Sequence, residues 1–149
     1  PIKLNKLISN FEKIGKKFKT NFLFPVHPRT EKIIKKLKIK KLDFIKFTKP
    51  LIFLDFLALM KYSKIILTDS GGIQEESSLL GVPCITIRTT TERQITVKNK
   101  SNILTGYSFD KILKAVDYFN NNKIKPSTVF GDGKVANKIV NILKKIISN

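Results

Sequence analysis

Lys64-Ile65-Ile66-Leu67-Thr68-Asp69-Ser70-Gly71-Gly72-Ile73-Gln74-Glu75-Glu76 is the stretch that decides the fold. Lys64–Thr68 is a short apolar run of the kind found in a strand buried on both faces. The two glycines let the backbone turn tightly. A helix is then expected from Ile73 to Leu80, closed by Gly81 and barred from continuing by Pro83. Cys84–Ile87 reads as the next strand. Strand, helix and strand in so few residues make a βαβ unit, whose strands run parallel.

The flanking sequence repeats the rhythm. Leu4, Leu7, Ile8, Phe11, Ile14 and Phe18 recur at helical spacing. Asn21–Val26 reads as a buried strand that stops at His27-Pro28, and Thr30 is placed to cap a helix from Glu31 to about Leu37. Phe44–Phe47 predicts another strand, and Phe53, Phe56, Leu57 and Met60 one apolar helix face directed at the core. Asn102–Thr105 predicts the last strand. Ile112, Leu113, Val116 and Phe119 mark one further helix, and Val135, Ile139, Ile142, Leu143 and Ile146 another, with Asn120–Asn122 a loop. The class is α/β, a parallel sheet wound on both sides.

The 149 residues suffice for one domain. Lys+Arg number 29 against 11 Asp+Glu, a net charge of +18. Such a balance raises nucleic acid or an anionic surface as a partner. Against this, only Arg29, Arg88 and Arg93 are arginines, and Lys, Ile and Asn together fill 58 positions, which reads as a composition bias. Nucleic-acid readers prefer the arginine fork, so a nucleic-acid module is the weaker reading. No apolar run approaches the about 18 residues of a membrane span. The single cysteine, Cys84, fits a reducing, cytoplasmic compartment. The chain opens on Pro1 rather than Met and reads as a piece of something longer.

In parallel sheets ligands sit beyond the carboxyl ends of the strands, which directs attention to His27, to Asp69–Gly72 and to the segment after Ile87. Asp69–Gly72 admits two readings. One is a capped helix after a glycine turn. The other is a phosphate cradle, with the Ser70 hydroxyl and the N–H groups of Gly71 and Gly72 facing the anion. Glu75 and Glu76, expected in the first helical turn, suit the dipole but repel a phosphate unless one turns aside. Glu76 stands one turn beyond Gly72 on the same face, where a carboxylate can accept two hydrogen bonds from a ribose diol. Arg93 can complete a diphosphate clamp; Arg88 can pair with Glu92 or a neighbouring carboxylate. His27, the one histidine, is held between Pro25 and Pro28 and is open to a structural or a catalytic role. One His and one Cys exclude a zinc site, and no cofactor is expected.

Five segments together resemble the UDP-N-acetylglucosamine 2-epimerase family: Phe24-Pro25-Val26-His27-Pro28, Asp69–Glu76, Leu80-Gly81-Val82-Pro83, Thr91-Glu92-Arg93, and Phe130-Gly131-Asp132-Gly133-Lys134-Val135-Ala136. The resemblance implies a Rossmann-like domain, residues 1–149, forming the C-terminal, UDP-holding half of a GT-B type enzyme whose N-terminal catalytic domain is absent. It implies that Ser70, Gly71 and Gly72 hold the diphosphate, Glu76 the ribose and Arg93 the phosphates. It further implies that Phe56 packs near the uracil and that His27 is the active-site histidine. The family's reaction removes the C2 proton, eliminates UDP to give 2-acetamidoglucal, and returns UDP after reprotonation on the other face, in the service of envelope polysaccharide synthesis. The implied ligands are UDP-N-acetylglucosamine and UDP; the implied partners are the N-terminal domain and a second copy of the chain in a homodimer. The alternative within the same architecture is the UDP-sugar-binding half of a glycosyltransferase. The chain departs from the family at Gln94-Ile95, where Pro-Glu is usual. It also lacks the N-terminal carboxylates that do the acid–base work, so it is not expected to epimerise alone.

Overall fold

Among the described residues, β-branched and aromatic residues form five short strands, and all of their pairings are parallel. β1 (Phe22–Pro25) lies beside β2 (Ile45–Thr48), and β4 (Cys84–Thr86) lies between β3 (Ile66–Thr68) and β5 (Asn102–Leu104). The hydrogen-bonded ladder is in two pieces, one of two strands and one of three. The computed structural model describes residues 2–37 and 42–147. Pro1, residues 38–41 and residues 148–149, which the expected domain also spans, lie outside the described residues. Helices α1 (Ile2–Phe18), α2 (Pro28–Lys36), α3 (Phe53–Tyr62), α4 (Gly71–Leu80), α5 (Gln94–Lys98), α6 (Phe109–Asn121) and α7 (Val135–Ile147) complete the chain. Each of the crossovers β1–α2–β2, β3–α4–β4 and β4–α5–β5 joins neighbouring parallel strands, so the expected α/β class is borne out.

The central strand divides the core by alternation. Ile85 points into an apolar cluster with Leu7, Ile8, Phe11 and Ile14 of α1 and Ile112, Ala115, Val116 and Phe119 of α6. Ile8, Ile14, Ile85 and Ile112 are wholly enclosed, each contributing about 2 kcal/mol through burial. Cys84 and Thr86 point the other way, to a polar layer against α4, where Thr86 Oγ1 donates to Asn102 Oδ1 at 2.8 Å. Glu12 of α1 ties the apolar side to β2, its carboxylate accepting the N–H groups of Asp43 and Phe44 at 2.7 and 3.2 Å.

Burial pushes the Cys84 thiol up to about 11, against weaker opposing hydrogen bonds from Ser77 and Thr86. At pH 8 the native thiol is therefore expected to resist iodoacetamide and to react stoichiometrically only in denaturant; mass spectrometry of the alkylated protein checks this.

Several boundaries differ from expectation, each for a local reason. Helix α2 starts at Pro28, not after Thr30: Pro28 occupies the first position, where its missing N–H costs nothing, and His27 is the cap. Helix α4 starts two residues early, at Gly71. Consequently Glu75 and Glu76 lie in its second turn rather than its first. Helix α6 continues through Asn121, inside the expected loop. The face of α3 expected to be core is mostly open: Met60 is buried, Phe56 and Leu57 are half-buried, and Phe53 is exposed. In α7 the apolar positions are likewise exposed, Ile142 by 58% and Ile146 by 67%. Among the described residues no helix is long and apolar enough to cross a membrane.

Candidate functional site

The start of α4 is left uncapped. Ser70 holds the cap position with extended backbone (φ −92°, ψ 132°), but its hydroxyl makes no capping bond. Its own N–H donates to Thr68 Oγ1 at 3.0 Å, and the first intrahelical bond is Gln74 N–H to Ser70 O at 3.3 Å. The N–H groups of Gly71, Gly72 and Ile73 therefore have no partner among the described residues. Together with the helix dipole they make a focus of positive potential. The Ser70 side chain thus supplies no cap to the helix start.

Arg93 is brought to this point from β4. Its Nε donates to Glu75 Oε1 at 2.6 Å, with both side chains about one-third exposed (34% each). A side-chain carbon on Gly71 would lie 3.2 Å from Arg93 Cζ and 3.4 Å from Nη1. The missing side chain of Gly71 is thus what lets the guanidinium lie against the helix start. Nη1 and Nη2 make no hydrogen bond among the described residues, where the hydrogen bond of the guanidinium runs from Nε. The two terminal nitrogens, the uncapped N–H groups and the Ser70 hydroxyl stand together as uncommitted donors.

The carboxylate conflict raised by the sequence is resolved by this geometry. Glu75 is bonded to Arg93 and so carries no unopposed charge toward the helix start. Glu76, half-buried one turn from Gly72, has no hydrogen-bond or ionic partner among the described residues. Arg88 pairs with Glu92 at 3.6 Å, one of its two expected partners. The Glu92 carboxyl lies below its usual range, chiefly because its own backbone N–H bonds to it and then because of the Arg88 charge.

His27 stands where β1 ends. Its Nδ1 accepts the Arg29 N–H at 3.2 Å, which leaves Nε2 as the ring nitrogen able to donate outward. Phe56 is half-buried on α3, which packs against α4. Neither residue shares a hydrogen bond or an ion pair with the Gly71–Glu75–Arg93 cluster. Sequence reasoning missed the part played by Gln74 and Thr91, both buried. Thr91 Oγ1 donates to Gln74 Oε1 at 2.6 Å and accepts the Arg93 N–H at 3.0 Å. A threonine two residues before a candidate arginine was the signal available for Thr91; the enclosure of Gln74 comes from tertiary packing alone. Gln94, at the departure from the family pattern, closes the same loop by donating from Nε2 to Thr91 O at 3.3 Å.

Comparisons with known proteins converge on one family. The family model for UDP-N-acetylglucosamine 2-epimerase matches residues 1–144. The UDP-N-acetylglucosamine 2-epimerase of Methanocaldococcus jannaschii is 41% identical over 145 residues, 95% of this chain and 40% of that protein. Its counterpart in Methanococcus maripaludis is 40% identical over 144 residues, 94% of this chain and 39% of that protein. The crystal structure of the M. jannaschii enzyme in complex with UDP-GlcNAc and UDP superposes with a TM-score of 0.86 at 40% identity, covering 96% of this chain and 41% of that one. The chain thus spans about two-fifths of the length of these relatives. With a family match over nearly its whole length and a fold to go with it, the chain belongs to the UDP-N-acetylglucosamine 2-epimerase family.

Proposed function

We propose that this chain is the UDP-holding, C-terminal part of a UDP-N-acetylglucosamine 2-epimerase, acting in the cytoplasm with an N-terminal domain that supplies the acid–base groups. The observation that carries this reading is the guanidinium of Arg93 lying beside the uncapped start of α4, with its terminal nitrogens making no hydrogen bond among the described residues. Donors fixed before the ligand arrives stabilise the charge that develops on UDP as it leaves C1 without having to reorganise. Ser70, Gly71 and Gly72 would face the diphosphate, Arg93 would bridge it, and the unpartnered Glu76 would accept the two ribose hydroxyls. Phe56 would lie along the uracil. His27, whose Nδ1 is occupied by the Arg29 N–H, would donate from Nε2 to the leaving diphosphate. The relatives' complex with UDP-GlcNAc and UDP supports the choice of ligand.

The ribose assignment gives a selective test. In calorimetric titrations Glu76→Gln is expected to weaken UDP binding about tenfold, the effect of losing charge-assisted bonds worth about 1.5 kcal/mol. Binding of UDP lacking the ribose hydroxyls should change little. Equal losses for both ligands would remove Glu76 from the ribose site. The 149-residue chain alone is expected to form no UDP-N-acetylmannosamine from UDP-N-acetylglucosamine; product in that assay would overturn the division of labour.

A further inference from the structure

The backbone of Arg93 is gripped on both sides by buried threonines. Its N–H donates to Thr91 Oγ1 at 3.0 Å. Its carbonyl accepts from Thr96 Oγ1 at 2.7 Å and from the Thr96 N–H at 3.0 Å. The two hydroxyls are joined beneath the loop. Thr91 Oγ1 donates to Gln74 Oε1 at 2.6 Å, and Asn102 Nδ2 donates both to Gln74 Oε1 at 3.2 Å and to Thr96 Oγ1 at 3.1 Å. Gln74 and Thr96 are fully enclosed, Asn102 is 1% exposed and Thr91 6%.

A polar layer of this kind is an expensive way to fill space. Buried amides and hydroxyls must replace every bond lost to water, and Gln74 Nε2 has no hydrogen-bond partner among the described residues. An apolar residue at 74 would remove that unmet demand. What the glutamine does is join α4 to the loop one residue away from where Glu75 bonds Arg93, in the same helix that presents Gly71. The helix and the arginine are therefore fastened at two adjacent points, one buried and neutral, one surface-facing and ionic.

We propose that Thr91 and Thr96, hung from Gln74 and Asn102, are positioning residues that set the Arg93 guanidinium over the start of α4, and thereby set how strongly the site prefers a nucleoside diphosphate to the bare nucleoside. The inference deepens the proposed UDP site and rests on it for the ligand, while the placement of Arg93 can be read without any ligand. Thr91→Val keeps the shape and removes the hydroxyl; Thr91→Ser keeps the hydroxyl.

The experiment titrates wild type, Thr91→Val, Thr91→Ser and Thr96→Val with UDP and with uridine, and records the arginine Nε–H signals of each by NMR. The valine variants should lose about tenfold in UDP affinity with uridine affinity unchanged, and the Arg93 Nε–H signal should move to the position of solvated arginines. Thr91→Ser should retain both wild-type values. An unaltered UDP-to-uridine ratio in the folded valine variants, or a serine variant that fails as valine does, overturns the proposal. Thr96→Val decides the matter should Thr91→Val not fold. If wild type binds neither UDP nor uridine, the ligand reading falls, and the Arg93 signal alone decides the positioning role: unchanged in the valine variants, it sinks that too.

Discussion

Arg93→Ala should weaken UDP binding about 50-fold while leaving uridine affinity as it was. Two or more charge-assisted hydrogen bonds to the diphosphate are lost, worth about 1.5–3 kcal/mol. The substitution also strands Glu75, whose carboxylate then faces the incoming diphosphate without its cation. That second contribution is separable. Adding Glu75→Gln to Arg93→Ala should recover part of the loss, whereas Glu75→Gln alone removes the anchor and keeps the charge. Arg93→Lys should restore only a fraction, because a point charge does not reproduce the fork. Calorimetry at two salt concentrations checks the origin, since the wild-type preference for UDP over uridine should shrink with added salt more than the variant's does. A parallel fall in uridine affinity would mean that Arg93 shapes the site as a whole instead of meeting the diphosphate.

The largest expected effect on stability lies at the other end of α4. Gly81 caps the helix in the left-handed region (φ 70°, ψ 28°), its N–H bonded to the carbonyls of Ser77 and Ser78. A side-chain carbon there would meet Pro126 Cδ at 2.6 Å and its backbone nitrogen at 2.7 Å. The next residue, Ser127, donates its N–H to Ser78 O at 2.9 Å, so Pro126 is not free to move away. Gly81→Ala thus combines about 1–2 kcal/mol of left-handed strain with about 1–3 kcal/mol of overlap. Together these make about 2–5 kcal/mol, and at about 2–4 °C per kcal/mol for a chain of this size the melting temperature should fall by roughly 4–20 °C. Urea unfolding should show a lower midpoint at an unchanged slope. A shift within 2 °C would show that the turn relaxes around the new carbon.

The residues that punctuate the chain were the legible ones. The glycine pair, Gly81 and Pro83 located α4 and its flanking strands, and the strand-end rule pointed to His27, to Asp69–Gly72 and to the segment after Ile87, of which the structure brings Gly71 and Arg93 together. What stayed hidden was decided by distant contacts. The Glu75–Arg93 bond joins positions 18 apart, and nothing local distinguishes Glu75 from Glu76. Helix α5 has five residues and no apolar period; it forms because Thr96 and Ser101 close the loop beneath Arg93. Periodicity located α3 and α7 but could not say how much of an apolar face is covered; in α7 that face is exposed. The capping role of His27 was masked by Thr30, a better cap by type but without Pro28 beside it.

The alternation in β4 carries a consequence for pairing. Cys84 and Thr86 meet hydroxyls and amides, while Ile85 meets hydrocarbon. Because side chains alternate strictly along a strand, sliding β4 by one residue would exchange its faces. An isoleucine would enter the layer of Gln74 and Asn102, and a hydroxyl or thiol would enter the cluster of Ile8 and Ile112. Each side thus proofreads the other, and a strand of only three residues has a single admissible alignment. Since the loop bearing Arg93 continues from β4, the same proofreading fixes the reach of the arginine: a slip of one residue, about 3.3 Å, would carry the guanidinium away from Gly71.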